Sequence, residues 1–287
     1  MGETIRLYYG LFKLRIGFAI MLCALAGIAI TPGAALSVGQ ITALALAVLL
    51  ASAAAGAFNQ YAERDLDVRM RRTRARPFVT GRLRAGPRWL VGLATLLLVA
   101  VLLAVATTNL HAALYTFLGA FVYGVVYTLW LKRRTWLNIV IGGLAGSFAV
   151  LAGAAAVDPQ IAPAPLVLAV VLFLWTPPHF WSLALAYRDD YAAAGVPMLP
   201  VVVGGRRAAR VIFAHTVSLV LLSLLPFAYG AGWLYLAGAV TGGAWFVWTS
   251  YQLTRSPDRV HAIRNFHASL GQLGLLLAAS LLAPIGI

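Results

Sequence analysis

ITALALAVLLASAAAGAFNQYA (residues 41–62) runs 22 residues without a charge, and ERDLDVRMRRTRARPFVTGRLRAGPR (63–88) then sets three carboxylates and nine arginines into 26 residues. The first stretch is long enough, as a helix, to cross a hydrocarbon core about 30 Å thick. The second cannot enter that core. So abrupt a change marks a chain leaving a bilayer for water, and the same alternation recurs along the whole sequence. About 20 apolar residues per crossing places helices at 16–36, 41–62, 88–107, 110–130, 138–157, 163–187, 210–229, 232–252 and 267–286. The expected fold is therefore all-α, a polytopic membrane protein of nine transmembrane helices.

Charge placement supports that count. All 22 Lys and Arg fall in every second connection of a nine-helix chain: before the first helix, then after the second, fourth, sixth and eighth. The alternate connections, around residues 31–40, 107–109 and 158–165, carry none. Cytoplasmic loops hold the excess of Lys and Arg, so the N-terminus is expected in the cytoplasm and the C-terminus on the far side of a cell (inner) membrane. With 62% hydrophobic and 10% charged residues, the lipid bilayer is the chain's main solvent. A net charge of +14 would suit a nucleic-acid binder only if spread over a wet surface, so no nucleic-acid partner is expected. The lone Cys23 permits neither an internal disulfide nor a cysteine metal cluster. No linker or low-complexity tract divides the chain, and residues 1–287 read as one intramembrane domain.

Chemistry concentrates on the charged side. Asn59, Glu63 and Asp67 recur every fourth residue, which aligns them on one helical face. An amide and two carboxylates at a membrane boundary suit a hard divalent cation such as Mg²⁺, which is held through a few protein oxygens and substrate phosphates. Arg72 and Arg76 follow directly, and guanidinium groups bind phosphate oxygens in bidentate fashion. The same arginines also serve as orientation signals and lipid contacts. A second acidic cluster, Arg188-Asp189-Asp190, closes the sixth helix on the same side, and two separated carboxylate groups at one mouth of a bundle form a metal–diphosphate clamp. On that reading Asp190 joins Asn59, Glu63 and Asp67 as a metal ligand. Tyr127 and Lys132 end the fourth helix nearby. Within the sixth, Trp175-Thr176-Pro177-Pro178-His179-Phe180-Trp181 puts two prolines and a histidine in apolar sequence, where the prolines are expected to kink or open the helix and turn His179 toward a buried substrate.

Taken together, these motifs resemble the UbiA-type intramembrane prenyltransferases. Glu63-Arg64-Asp65-x-Asp67-x-x-Met70-x-Arg72-Thr73-x-x-Arg76-Pro77 is similar to the first signature of their haem-farnesylating branch. So are Tyr127-Thr128 with Lys132, the Pro177-Pro178-His179 segment, and Tyr187-Arg188-Asp189-Asp190-Tyr191 through Pro200. The resemblance implies a helical bundle with a central cavity open to the cytoplasmic side. It implies transfer of a farnesyl group from farnesyl diphosphate to a vinyl group of haem B, giving haem O, with Mg²⁺ as cofactor. Asn59, Glu63 and Asp67 then hold the first metal–diphosphate site and Arg72 and Arg76 face the phosphates. Tyr127 and Lys132 cover the diphosphate, and Arg15 is the basic residue of the first helix. Broader members space their second acidic pair four apart, whereas Tyr187 and Tyr191 stand at those positions here. The resemblance leaves open which haem-modifying or oxidase-assembly partner receives the product. A relative acting on an aromatic acid or quinone precursor is the alternative enzyme. A transporter or membrane scaffold is the alternative outside enzymes, although its ionisable groups would sit near the bilayer midplane.

Overall fold

The computed structural model describes residues 2–283, which form helices and connecting loops with no strand among them. A short helix α1 (Gly2–Leu11) precedes α2 (Leu14–Ala29), and α3 (Val38–Ala62) is followed by the single turn α4 (Arg64–Asp67). Then come α5 (Pro87–Thr107) and α6 (Leu110–Phe121), the latter running on as a π-helix, Val122–Leu131. The fifth rod is α7 (Asn138–Gly142) with α8 (Leu144–Val157), and the sixth is α9 (Pro163–Ala186). Short α10 (Arg188–Ala193) and α11 (Leu199–Val203) lead to α12 (Gly205–Leu222) with α13 (Leu225–Ala228), then α14 (Trp233–Arg255) and α15 (Arg259–Leu282).

Local chemistry sets these ends. Ser37 and Gln40 form a reciprocal capping box at the start of α3, satisfying backbone N–H groups that an opening turn leaves without partners. Asn109 caps α6 through the Ala112 N–H and Asp258 caps α15 through the His261 N–H. Pro87 and Pro163 occupy first-turn positions, where a missing N–H costs nothing.

Several boundaries differ from the sequence expectation. The first crossing spans Leu14–Ala29 rather than 16–36, because the segment 32–37, which opens on Pro32 and Gly33, does not continue the helix. α12 and α15 begin earlier than expected, so that Arg206, Arg207, Arg259 and Arg264 ride on helix turns and not in loops. Residues 284–286 of the expected last helix lie outside the described residues. By length and hydropathy, seven helices among the described residues can cross a membrane, and the bent pair α1 and α2, which meet at 54°, makes an eighth. The expected eighth crossing, α14, is 23 residues long but carries Thr241, Thr249, Ser250, Gln252 and Thr254, and it falls short on apolarity.

The rods nevertheless pack as a closed ring. α2 lies on α3, α3 on α5, α5 on α6, α6 on α8, α8 on α9, α9 on α12, α12 on α14 and α14 on α15, and α15 returns to α2. Inside the ring α2 crosses α8 with almost no space. A Cβ at Gly27 would lie 2.2 Å from the Val150 carbonyl oxygen, and one at Gly153 would lie 1.9 Å from that of Ala24. Membrane helices associate through such small residues because lipid supplies no hydrophobic drive. The C-terminal rods are joined by polar contacts instead. Asn265 on α15 donates to Ser182 on α9 (2.8 Å) and accepts from Thr249 and Ser250 on α14 (2.8 and 3.0 Å). Ser250 in turn meets Thr216 on α12 at 2.9 Å. These contacts account for part of the hydrophilic tint of α14, since Thr249 and Ser250 are buried and paired.

Candidate active site

Asn59 stands in the last turn of α3, and the chain then bends without losing helical progress. The Glu63 N–H donates to the Asn59 carbonyl at 3.0 Å and the Asp67 N–H to that of Glu63 at 2.9 Å. The fourfold spacing therefore survives the break between α3 and α4, and Asn59, Glu63 and Asp67 are 2%, 1% and 2% exposed. Buried carboxylates require partners, and each has one. Lys132 Nζ lies 2.5 Å from Glu63 Oε2, and Arg76 Nη1 reaches both oxygens of Asp67 at 2.9 and 2.7 Å. Lys13 Nζ donates to Asn59 Oδ1 at 2.6 Å and to the Tyr123 hydroxyl at 2.9 Å. Asn59 Nδ2 donates to Thr128 Oγ1 at 3.0 Å.

Lys132, Thr128 and Tyr123 reach one site because of the π-helix. Lys132 and Tyr123 are nine residues apart, about two and a half turns of α-helix, which would set them on opposite faces. Bonding from i to i+5, as in Lys132 N–H to the Tyr127 carbonyl at 3.0 Å, widens the turn to about 4.4 residues. Nine residues then make about two full turns. Tyr123 and Tyr127 stack at 5.6 Å, with Lys13 and Lys132 over their respective rings at 5.4 and 5.5 Å.

Lys13 is the basic residue that the first helix delivers, whereas Arg15, chosen from the sequence, is exposed and outside the hydrogen-bonded cluster. The kink between α1 and α2 holds Lys13 in the left-handed region (φ 49, ψ 41), where residues other than glycine rarely sit. Gly56 makes room for it: a Cβ there would be 3.2 Å from the Phe12 carbonyl oxygen. The sequence offers Lys13 and Arg15 two residues apart, and nothing in their spacing separates them.

The oxygens present fit a hard divalent cation. An amide and two carboxylates share one side of the turn, and Glu63 Oε1 is buried with no hydrogen-bond partner. Such an orphan acceptor is costly unless something polar occupies the space beside it. Asp190 does not complete this set. Among the described residues no group of three or more His, Cys, Asp or Glu stands close enough to hold a metal. In α10 Tyr191 takes the buried position (5% exposed), while Asp190 is half-buried and Asp189 exposed.

Asp189 and Asp190 instead line an open cleft of about 820 Å³, together with Arg188, Arg72 and Arg259. Of the two arginines expected to face phosphate, Arg76 turns in to Asp67 and Arg72 lines the cleft. Farther out, Arg133 grips Asp65 by two bonds of 2.7 Å, and this guanidinium holds the Asp65 carboxyl below the usual carboxylate range.

His179 lies deeper, 6% exposed, and outside the cleft. α9 does not open at Pro177 and Pro178; it runs unbroken through both. Thr176 donates to the Leu172 carbonyl (3.0 Å) and Ser182 to that of Pro178 (2.6 Å), the i to i−4 back-bonding usual for buried hydroxyls in a helix. The imidazole is stacked between Trp175 at 4.1 Å and Phe266 at 4.5 Å. Ser269 donates its hydroxyl to the Phe266 carbonyl and meets His179 Nδ1 at 2.7 Å. That network assigns the proton to Nδ1 and leaves the lone pair on Nε2.

A ring of membrane helices with polar oxygens, lysines and arginines at one mouth is a known architecture. Residues 20–272 match the family described as the UbiA prenyltransferase family, and the chain belongs to it. It is a multi-pass membrane prenyltransferase. Protoheme IX farnesyltransferase 2 of Paramagnetospirillum magneticum (strain ATCC 700264 / AMB-1) is 58% identical over 285 residues, 99% of both chains. Protoheme IX farnesyltransferase 1 of the same organism is 50% identical, covering 96% of this chain and 97% of its own. Among solved structures, a UbiA homologue from Archaeoglobus fulgidus bound to GPP and Mg²⁺ superimposes with a TM-score of 0.71 at 17% identity, over 95% and 99% of the two chains. A digeranylgeranylglyceryl phosphate synthase gives 0.80 at 17% identity, over 99% and 100%. At such identity these structures speak for the fold.

Proposed function

We propose that this protein transfers a farnesyl group from farnesyl diphosphate to a vinyl group of haem B, giving haem O and diphosphate, with Mg²⁺ as cofactor. The observation that carries the diphosphate half is the buried cluster in which Lys13, Lys132 and Arg76 attend Asn59, Glu63 and Asp67. Three basic side chains beside two carboxylates leave room for an anion. The near full-length identity to two protoheme IX farnesyltransferases supports haem as the acceptor.

Asn59, Glu63 and Asp67 would hold Mg²⁺, which supplies neutralisation of charge growing on the leaving diphosphate. Lys132 and Arg76, paired here with Glu63 and Asp67, would turn to the diphosphate oxygens once a metal takes those carboxylates, and in a water-poor site such donors stabilise developing charge strongly. The bond from the farnesyl C1 to the diphosphate oxygen breaks, and its electron pair leaves with diphosphate. Tyr123 and Tyr127 already hold Lys13 and Lys132 over their rings, cation–π contacts worth about 0.5 to 2 kcal/mol each that steady the two lysines for the diphosphate. The haem vinyl group supplies the electron pair of the new carbon–carbon bond. Water adds to the cation left beside the ring and gives up a proton, which completes the hydroxyethylfarnesyl group. His179, with Nε2 unprotonated, is the group we assign to contact haem, at iron or by accepting a hydrogen bond. We further assign nine crossings with a cytoplasmic N-terminus in the cell membrane, all within a single domain.

Purified protein given farnesyl diphosphate, Mg²⁺ and either haem B or 4-hydroxybenzoate tests the assignment by product mass. Farnesylated haem is expected. Prenylated benzoate with no haem product would leave a prenyltransferase of a different acceptor.

A further inference from the structure

The cleft between the loop after α4 and the end of α9 has its own chemistry. Arg69, Arg71 and Arg72 line one wall, Arg188 another, and Arg259 enters from the first turn of α15. None of these guanidiniums forms an ion pair with a side chain of the described residues. Only Asp189 and Asp190 oppose them, so five arginines face two carboxylates within one concavity of about 820 Å³. Orientation signals need no such convergence, since arginines that only mark a cytoplasmic face can spread over it. Nor are these side chains all loose: the Arg259 guanidinium lies over the Tyr187 ring at 5.3 Å. The cleft has its own lining beside the buried cluster. Asn59, Glu63, Asp67, Arg76 and Lys132 take no part in its lining.

Two positions for anions therefore stand at one mouth of the bundle, one buried and rich in metal-binding oxygens, the other open and rich in arginine. We propose that the open cleft binds the paired carboxylates of the acceptor, the two propionates of haem, with Arg259 and Arg188 as the principal contacts. This rests on the haem reading above. Arginine suits the task, since its planar fork matches a carboxylate with two parallel bonds. A rigid porphyrin carrying both propionates on one edge would then be anchored at the aqueous face, with its apolar body toward the bundle. Anionic lipid headgroups offer guanidinium groups similar chemistry, and the test separates the two.

The experiment compares haem B with its dimethyl ester, in which both carboxylates are capped, using full-length protein in nanodiscs with farnesyl diphosphate and Mg²⁺. For Arg259→Gln and Arg188→Gln, kcat/KM for haem B is expected to fall at least tenfold. The ester's value should change less than twofold, and KM for farnesyl diphosphate should hold. Haem titration followed at the Soret band should show the same loss without turnover. Arg82→Gln, outside the cleft, is the control and should change nothing. Equal losses for acid and ester, or none for either, would overturn the proposal. So would a loss that tracks the anionic lipid content of the nanodisc with the acid-to-ester ratio intact. Product from 4-hydroxybenzoate and none from either haem would remove the acceptor reading itself, and this proposal with it.

Discussion

Asp67 is buried and bonded to Arg76 through both oxygens, and Asp67→Asn keeps its size while removing its charge. At least a tenfold fall in kcat/KM is expected, about 1.4 kcal/mol of transition-state stabilisation, with insertion and thermal stability little changed. Steady-state kinetics at saturating Mg²⁺ checks it, and near-normal turnover would exclude a ligand role. Lys13 and Arg15 give a sharper contrast. Lys13→Gln should cost at least tenfold in activity, because it removes donors to Asn59 and Tyr123, while Arg15→Gln should stay within twofold. Equal effects would deny Lys13 its place. The fourfold spacing of Asn59, Glu63 and Asp67 was legible in the sequence because helical geometry alone dictates it. Lys13 was not, since its entry depends on a left-handed backbone and on the absence of a side chain at Gly56, two features without a periodic signature.

At the scale of the element, the α2–α8 crossing depends on two glycines. Gly153→Leu would push a side chain into the Ala24 backbone, and overpacking of that kind costs about 1 to 3 kcal/mol. A lower midpoint of thermal aggregation in detergent is expected, with a milder drop for Gly146→Leu, where the nearest atom to an added Cβ is 3.9 Å away. The π-helix makes a different prediction. Deleting one residue between Val122 and Leu131 should restore α-helical bonding and swing Lys132 away from Glu63. Activity should be lost while the protein still inserts and stays soluble in detergent; full activity in the deletion would show that the widened turn is dispensable. Apolar length predicted the rods well, since lipid permits little besides helices. It could not foresee i to i+5 bonding, nor that α9 would run on through Pro177 and Pro178.

For the whole molecule, the proposed orientation puts Arg74 on the cytoplasmic side and Gln160 opposite, and both are exposed. A membrane-impermeant thiol reagent on intact cells should label Gln160→Cys and spare Arg74→Cys, in a Cys23→Ser background. The reverse pattern would invert the topology. The alternation of charged and apolar stretches was legible, although Arg206, Arg207, Arg259 and Arg264 fall on helix turns; which rods touch was not, because the ring is closed only by α15 against α2. Closure of that kind has a meaning in time. A chain emerging from the ribosome folds its N-terminal parts first, and the buried cluster draws on residues from Lys13 to Lys132 only. Arg259 and the closing helix arrive last. The half of the site proposed to handle the diphosphate is thus born early, and the open cleft gains its last arginine wall only as synthesis ends.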